Sequence, residues 1–215
     1  MNLASYIDHT LLKPDATEKQ IDQLIQDAKA YSFASVCVNP TWVAHCAQQL
    51  KESEVAVCTV IGFPLGATST ETKVFETKQA LKDGATEIDL VINIGQLKMK
   101  NKQFVQEEIA KIKQITNDVA ILKVIIETAL LTEDEKELAT LAVLEAGAEF
   151  IKTSTGFSNG GATVEDIELF KRVSNGALNI KASGGIRDKE AAMRMIEAGA
   201  NRIGASASVA IVEKN

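Results

Sequence analysis

One repeated pattern constrains the fold of this chain more than any other feature. Three times, a segment with helical periodicity ends at a glycine, and a short apolar segment begins a few residues later. The glycines are Gly84, Gly147 and Gly199, each at the position where the residue after a helix often adopts the left-handed conformation. The sequence therefore predicts helices that lead directly into strands along much of the chain.

The segments before the predicted strands carry the signals of helix starts. Residues 17–31 place apolar side chains on one face at helical spacing. Thr132 followed by Glu135 is a capping-box pattern at the start of another helix. Thr163 and Asp188 are predicted to begin two more helices.

Short apolar segments alternate with these helices. Eight are predicted to be strands, at 6–12, 35–39, 55–62, 87–93, 120–127, 150–154, 179–183 and 202–205. Alternating strands and helices predict right-handed βαβ units and a parallel sheet. Eight units in 215 residues fit a closed (β/α)₈ barrel of the α/β class, near its minimum size, as one domain over residues 1–215.

An open, doubly wound sheet is the alternative architecture. Such a sheet usually has a glycine-rich turn after its first strand, and residues 8–12 contain no glycine. Neither GxGxxG nor GxxxxGK[ST] occurs, so dinucleotide and P-loop chemistry have no support. We therefore expect the closed barrel.

Several predicted strands carry polar side chains on one face and apolar side chains on the other. Asp89, Lys123, Lys152 and Lys181 lie at such alternating positions. Parallel strands that are covered on both faces are ordinarily apolar, so this polar face is unusual. We expect it to face the barrel interior, where this architecture places its active site at the carboxyl ends of the strands.

Two lysines give the strongest indication of chemistry. Lys152 and Lys181 occupy equivalent positions on consecutive predicted strands, so we expect them to be neighbours, with Asp89 as their carboxylate. Burial and a nearby ammonium lower the pKa of a lysine, and a neutral amine attacks carbonyl groups. The alternative is a buried ion-pair network that only holds the barrel together. Because buried charges are costly, we favour a catalytic site.

Glycines predict a phosphate site beside these lysines. Gly184 and Gly185 follow the seventh predicted strand, and Gly204 and Ser206 lie at the end of the eighth. Small residues leave backbone amides free to bind phosphate, and loops after strands seven and eight commonly do so in this architecture. The glycine-rich segment at 155–161 could add to this site.

Composition argues against several other classes of protein. Lys and Arg number 23 against 29 Asp and Glu, a net charge of −6 that disfavours a nucleic-acid surface. No apolar run reaches the roughly 18–20 residues of a membrane span. Cys37, Cys46 and Cys58 lack CxxC spacing, and His9 and His45 lack ligand spacing. We expect a reduced, cytoplasmic protein without a disulfide framework or a metal site.

Seven motifs, in order from about residue 6 to about residue 212, resemble the 2-deoxyribose-5-phosphate aldolase family. They lie at 8–14, 36–40, 60–66, 87–89, 123–128, 152–157 and 181–185. The resemblance implies a class I aldolase, a carbon–carbon lyase that uses a lysine imine (a Schiff base) and no metal or other cofactor. Such an enzyme interconverts 2-deoxy-D-ribose 5-phosphate with D-glyceraldehyde 3-phosphate and acetaldehyde, in deoxyribonucleoside and carbohydrate breakdown.

The resemblance also implies roles for individual residues. Lys152 matches the imine lysine, Lys181 the second lysine and Asp89 the carboxylate of the proton relay. The residues that match the substrate and phosphate site are Asp8, Thr10, Thr155, Gly156, Gly184, Gly185, Gly204 and Ser206. A homodimer or homotetramer is implied, with no nucleic-acid or membrane partner.

The chain departs from the family pattern at one point. Some members end in a tail with a terminal tyrosine that assists proton transfer, whereas no tyrosine follows Tyr31 here. We expect either that the tail is dispensable or that the sequence is truncated.

Two alternative functions remain open. One is another phosphosugar aldolase or isomerase on the same barrel, and the other is a silent phosphometabolite-binding protein. An isomerase does not need a nucleophilic lysine, so borohydride trapping separates it from an aldolase.

Overall fold

The computed structural model describes residues 2–213, in which eight parallel strands close into one barrel. Each strand pairs with the next along the chain, and the last pairs with the first. The strands are β1 (Ile7–Leu11), β2 (Ser35–Val38), β3 (Ala56–Ile61), β4 (Glu87–Val91), β5 (Ile121–Ile125), β6 (Phe150–Lys152), β7 (Asn179–Ser183) and β8 (Arg202–Ala205). The predicted (β/α)₈ barrel is confirmed, and the open sheet is wrong.

Helices cover the outside of the barrel. In residues 2–213 they are α1 (Glu18–Tyr31), α2 (Val43–Gln49), α3 (Thr70–Lys82), α4 (Ile94–Lys98), α5 (Lys102–Thr116), α6 (Glu133–Glu145), α7 (Val164–Val173), α8 (Lys189–Ala198) and α9 (Ser208–Glu213). Thr132, Thr163 and Asp188 cap α6, α7 and α8 as predicted, each accepting a backbone N–H bond. Across the described part of the chain, no helix has the length and apolar character needed to cross a bilayer.

The three predicted glycines at helix ends have the expected backbone conformation. Gly84, Gly147 and Gly199 all have positive φ angles, of 103°, 79° and 125°. A side chain at these angles would be strained, so glycine allows α3, α6 and α8 to stop sharply and the chain to enter the next strand.

Several strands are shorter at their carboxyl ends than the sequence predicted. Asn93 lies in the segment predicted as the fourth strand, 87–93, but its side chain instead accepts a 3.1 Å bond from the Gln96 N–H and caps α4. Glu127 was expected on β5, but its φ of 57° takes it out of the strand. Polar groups at these positions form the loops above the barrel.

The main hydrophobic core lies between the outer face of the strands and the surrounding helices. Outward side chains such as Ile88, Leu90, Leu122 and Val124 are fully buried against the helices. Burying a side chain of this size stabilises the fold by about 1.5–3 kcal/mol. This layer provides the stability that lets the barrel interior hold polar and charged groups.

A buried ion pair outside the barrel supports the end of β4. Lys73 of α3 and Glu108 of α5 have no exposed side-chain surface, and Nζ lies 2.9 Å from Oε1. Lys73 Nζ also donates to the Val91 carbonyl at 2.8 Å, and Glu108 Oε2 accepts the Asn93 N–H at 3.0 Å. The pair therefore satisfies backbone groups where β4 enters its loop.

We expect Lys73→Met to lower the free energy of unfolding by about 3–5 kcal/mol, because it leaves Glu108 buried without its cation. Urea denaturation measures this change. Lys78→Met, an exposed change on the same helix, should stay within about 0.5 kcal/mol of the parent protein. Replacing both partners, by Lys73→Met with Glu108→Leu, should restore only part of the loss, because the Val91 carbonyl and the Asn93 N–H then lack their partners. Equal stability of Lys73→Met and Lys78→Met would contradict this interpretation.

Candidate active site

A cavity of about 310 Å³ opens at the carboxyl ends of the strands. Its walls come from the ends of β1, β6, β7 and β8 and from the loops that follow them. The predicted site residues that line it are Thr10, Lys152, Thr155, Gly156, Gly184, Gly185, Gly204 and Ser206. This is the end of the barrel at which (β/α)₈ enzymes bind their substrates.

One carboxylate below the cavity holds three lysines. Asp89 Oδ2 lies 2.7 Å from Lys152 Nζ and 2.6 Å from Lys181 Nζ, and Oδ1 lies 2.9 Å from Lys123 Nζ. Strand register explains the grouping, because Asp89 pairs with Lys123 across β4–β5 and Lys152 with Lys181 across β6–β7. The structure therefore brings together Asp89, Lys152 and Lys181, which were expected to be neighbours.

Lys152 differs from the other two lysines in its access to the cavity. Its side chain lines the cavity and is 4% exposed, whereas the side chains of Lys123 and Lys181 are fully buried. A small ligand in the cavity therefore meets the Lys152 amine first.

Asp8 occupies a different place from the one expected. It is fully buried near the amino end of β1, where its carboxylate accepts bonds from Ser35 Oγ at 2.7 Å and Arg202 Nη1 at 2.6 Å. Its other oxygen lies 2.5 Å from Lys181 Nζ. Asp8 is not among the residues that line the cavity; it contacts Lys181, which in turn contacts Asp89.

The ionic network continues to the amino end of the barrel through residues that sequence reasoning missed. Glu87 Oε2 lies 2.7 Å from Lys123 Nζ and 3.0 Å from Arg202 Nη1. Glu87 has the same strand parity as Asp89, a signal that could have revealed it. Arg202 is the first residue of β8, and no such signal marked it.

Electrostatics keep most of this network charged. Burial raises the pKa of Asp89, but the three ammonium groups outweigh it and hold that pKa well below the usual range. Burial lowers the pKa of Lys181, but the carboxylates of Asp8 and Asp89 outweigh it and raise that pKa. The pKa of Lys123 is raised in the same way, chiefly by Asp89. Burial alone lowers the pKa of both lysines, but the net shift is upward because carboxylates surround them.

Cysteine and carboxylate groups meet in the barrel, but a lysine already serves as their cation. Donor atoms of Cys37, Cys58 and Asp89 lie within 4.8 Å of one another, as metal ligands would. Lys123 Nζ lies 3.2 Å from Cys58 Sγ and 2.9 Å from Asp89 Oδ1. Burial raises the pKa of Cys58 well above the usual range, which disfavours the thiolate that metals bind. The donor set fits a lysine better than a metal ion.

The two histidines pack against helices rather than in the cavity. His9 packs near Phe33 with the two rings tilted and their centroids 5.0 Å apart, and its Nε2 lies 3.7 Å from Asp27. His45 Nε2 lies 2.7 Å from Asp22. Neither histidine is among the residues that line the cavity.

The far end of the cavity is built from glycines and two additional cations. Gly184 and Gly185 have φ angles of +85° and +79°, which suit glycine and leave backbone groups without a covering side chain. A Cβ at Gly204 would lie 3.2 Å from Lys181 Cε, so a side chain there would press on the lysines. Lys13 and Arg187, which sequence reasoning missed, line the same cavity.

A wider groove of about 670 Å³ lies beside the cavity and shares no lining residue with it. Phe63, Leu65 and Phe75 give it a largely apolar wall. The lysines and the glycine loops converge on the smaller cavity, which we take as the candidate site.

Comparison with known proteins agrees with this geometry. A family described as "DeoC/LacD family aldolase" matches residues 3–211. A protein of Oceanobacillus iheyensis named deoxyribose-phosphate aldolase 1 is 58% identical over 212 residues, which is 99% of this chain and 96% of that protein.

Solved structures are similar over nearly the whole chain. A putative deoxyribose-phosphate aldolase from Coccidioides immitis has a TM-score of 0.95 and 44% identity, covering 98% of this chain and 84% of that one. A deoxyribose phosphate aldolase from Aeropyrum pernix, described as tetrameric, has a TM-score of 0.92 and 33% identity, covering 98% and 89%. A family match over most of the length, together with relatives this similar, shows that the chain belongs to the DeoC/LacD family of aldolases.

Proposed function

We propose that this protein is a class I aldolase that reversibly cleaves 2-deoxy-D-ribose 5-phosphate to D-glyceraldehyde 3-phosphate and acetaldehyde. The observation that carries the proposal is the position of Lys152, whose amine lines the cavity while bonded to the carboxylate that also holds Lys181. The names of the relatives at 58% identity support the choice of substrate.

The charge balance of the network favours a reactive amine. Four cationic side chains meet three carboxylates: Lys123, Lys152, Lys181 and Arg202 against Asp8, Glu87 and Asp89. Loss of one proton from this cluster balances its charge, which a buried site favours. Lys152 is the lysine with access to the cavity, so we assign the free amine to it.

Imine formation follows from this arrangement. The Lys152 nitrogen adds to the C1 aldehyde carbon of the open-chain sugar, and the resulting carbinolamine loses water to give an iminium ion. Lys181 and Asp89 are positioned to supply and remove the protons of these steps, directly or through a water molecule.

The iminium then accepts the electrons of the broken carbon–carbon bond. As a base removes the proton of the C3 hydroxyl, C3 becomes the carbonyl carbon of glyceraldehyde 3-phosphate, and the C2–C3 electrons form an enamine. Protonation of the enamine at C2 and addition of water release acetaldehyde and regenerate the Lys152 amine.

Phosphate binding would place C1 at the amine. The loops at Gly184–Gly185 and Gly204–Ser206 offer backbone amides, and Lys13 and Arg187 add positive charge at the cavity wall. A substrate held at both ends reacts faster, because its reacting atoms are already close together and correctly oriented. Neither a metal nor another cofactor takes part in the proposed reaction.

A cytoplasmic location and a homodimer or homotetramer remain predictions. The solved relative from Aeropyrum pernix that is described as tetrameric supports an oligomer, and sedimentation would measure the state of this chain.

We expect acetaldehyde and borohydride to add an ethyl group to Lys152, and peptide mass mapping locates it. In Lys152→Leu the adduct should disappear and turnover should fall by about 1,000-fold or more, with the circular dichroism spectrum unchanged. Adduct on Lys181 or Lys123 would keep the chemistry but reassign the nucleophile. A folded parent protein without any adduct would favour an isomerase or a silent binder.

We expect Lys181→Leu to slow borohydride trapping by roughly tenfold at pH 7 and to shift its pH profile to higher pH. Without the Lys181 ammonium, the carboxylates around it hold a proton on Lys152 more strongly. The exposed Lys189→Leu change is the control. An unchanged pH profile for Lys181→Leu would contradict this role.

A further inference from the structure

A strained residue stands at the end of β5. Glu127 has φ 57° and ψ 67°, a left-handed conformation uncommon for residues other than glycine, and it is only 2% exposed. Backbone bonds fix both of its neighbours: the Ile126 N–H donates to the Lys152 carbonyl at 3.1 Å, and the Thr128 N–H donates to the Thr153 carbonyl at 2.9 Å. Pairing with β6 therefore holds the strained conformation in place.

The Glu127 carboxylate is bound to Thr155. Its Oε2 accepts the Thr155 N–H at 3.2 Å and also the Thr155 hydroxyl in a short hydrogen bond. Thr155 Oγ1 in turn accepts the Phe157 N–H at 3.1 Å. A threonine hydroxyl has one proton and two lone pairs, so its proton and one lone pair are already used.

Only an acceptor therefore remains on Thr155 for a ligand. Thr155 lines the cavity together with Lys152. A hydroxyl that can only accept gives nothing to a phosphate oxygen or a carbonyl oxygen, which are themselves acceptors. The group that it can bind is a hydroxyl of the substrate.

Glu127 also carries features that add no stability. Among the described residues, its Oε1 is buried with no hydrogen-bond partner. An unpaired buried oxygen and a left-handed backbone are both unfavourable, and such features concentrate at functional sites.

We propose that Glu127 is a positioning residue that fixes the Thr155 hydroxyl as a hydrogen-bond acceptor, so that the site selects aldehydes with a hydroxyl beside the carbonyl. The inference rests on the proposed function, in which the aldehyde joined to acetaldehyde is D-glyceraldehyde 3-phosphate. That aldehyde has a single hydroxyl, at C2, and this is the group that we assign to Thr155.

The test compares two aldehydes in the synthetic direction, with acetaldehyde as the partner. One is D-glyceraldehyde 3-phosphate, and the other is the analogue that lacks its C2 hydroxyl. The ratio of their kcat/KM values should be about tenfold or more for the parent protein. Glu127→Met, which keeps side-chain length but offers only a weakly accepting thioether sulfur, should reduce this ratio to near one. Glu127→Gln, which keeps a carbonyl oxygen, should keep the ratio within about threefold.

Changes at Thr155 test the same contact from its other side. Thr155→Val should bring the ratio of the two kcat/KM values close to one, and Thr155→Ser should keep it near the parent value. An unchanged ratio in Glu127→Met or in Thr155→Val, or a parent protein without preference, would overturn the inference. Thr155→Val decides the matter if Glu127→Met does not fold.

Trapping of acetaldehyde on Lys152 separates this inference from the proposed function, because acetaldehyde has no hydroxyl. A parent protein that forms no adduct refutes the proposed function itself. Variants that form the adduct at the parent rate but keep the parent ratio refute only the role of Glu127.

Discussion

The site depends on the attraction between one buried carboxylate and three lysines. Asp89 receives Lys123, Lys152 and Lys181 from the next three positions around the barrel. Without it, three ammonium groups would face one another in a dry interior, where repulsion is strong because the dielectric constant is low. Asp89 thus allows three lysines to lie together below the cavity that a carbonyl compound can enter.

A second layer of interactions determines how that charge is distributed. Asp8 and Glu87 receive Lys181 and Lys123 from below, and Arg202 balances both carboxylates from the amino end of the barrel. The apolar layer outside the strands supplies the stability that this interior does not. Charged groups buried at active sites commonly reduce the stability of an enzyme while serving its activity.

Much of this arrangement could be predicted from the sequence, because it follows from local rules. Glycine at helix ends and alternation along strands predicted the barrel, and strand parity predicted that Lys152 and Lys181 are neighbours. Asp8 was misplaced, because motif matching assigns a residue to a site without giving its depth in the barrel.

Other features depend on contacts between distant parts of the chain. Lys73 and Glu108 look like ordinary charged positions of helices, and only the packing of α3 against α5 pairs them inside the protein. The left-handed conformation of Glu127 could not be predicted from its residue type. Its tie to Thr155 is therefore visible only in the folded structure.

The bond between Arg202 and Asp8 joins the last strand to the first, across 194 positions of the chain. At about 5–20 residues per second, a ribosome needs on the order of ten to forty seconds to make the intervening segment. A barrel that closed before Arg202 was made would bury Asp8 with one of its cations missing, which is costly in a dry interior.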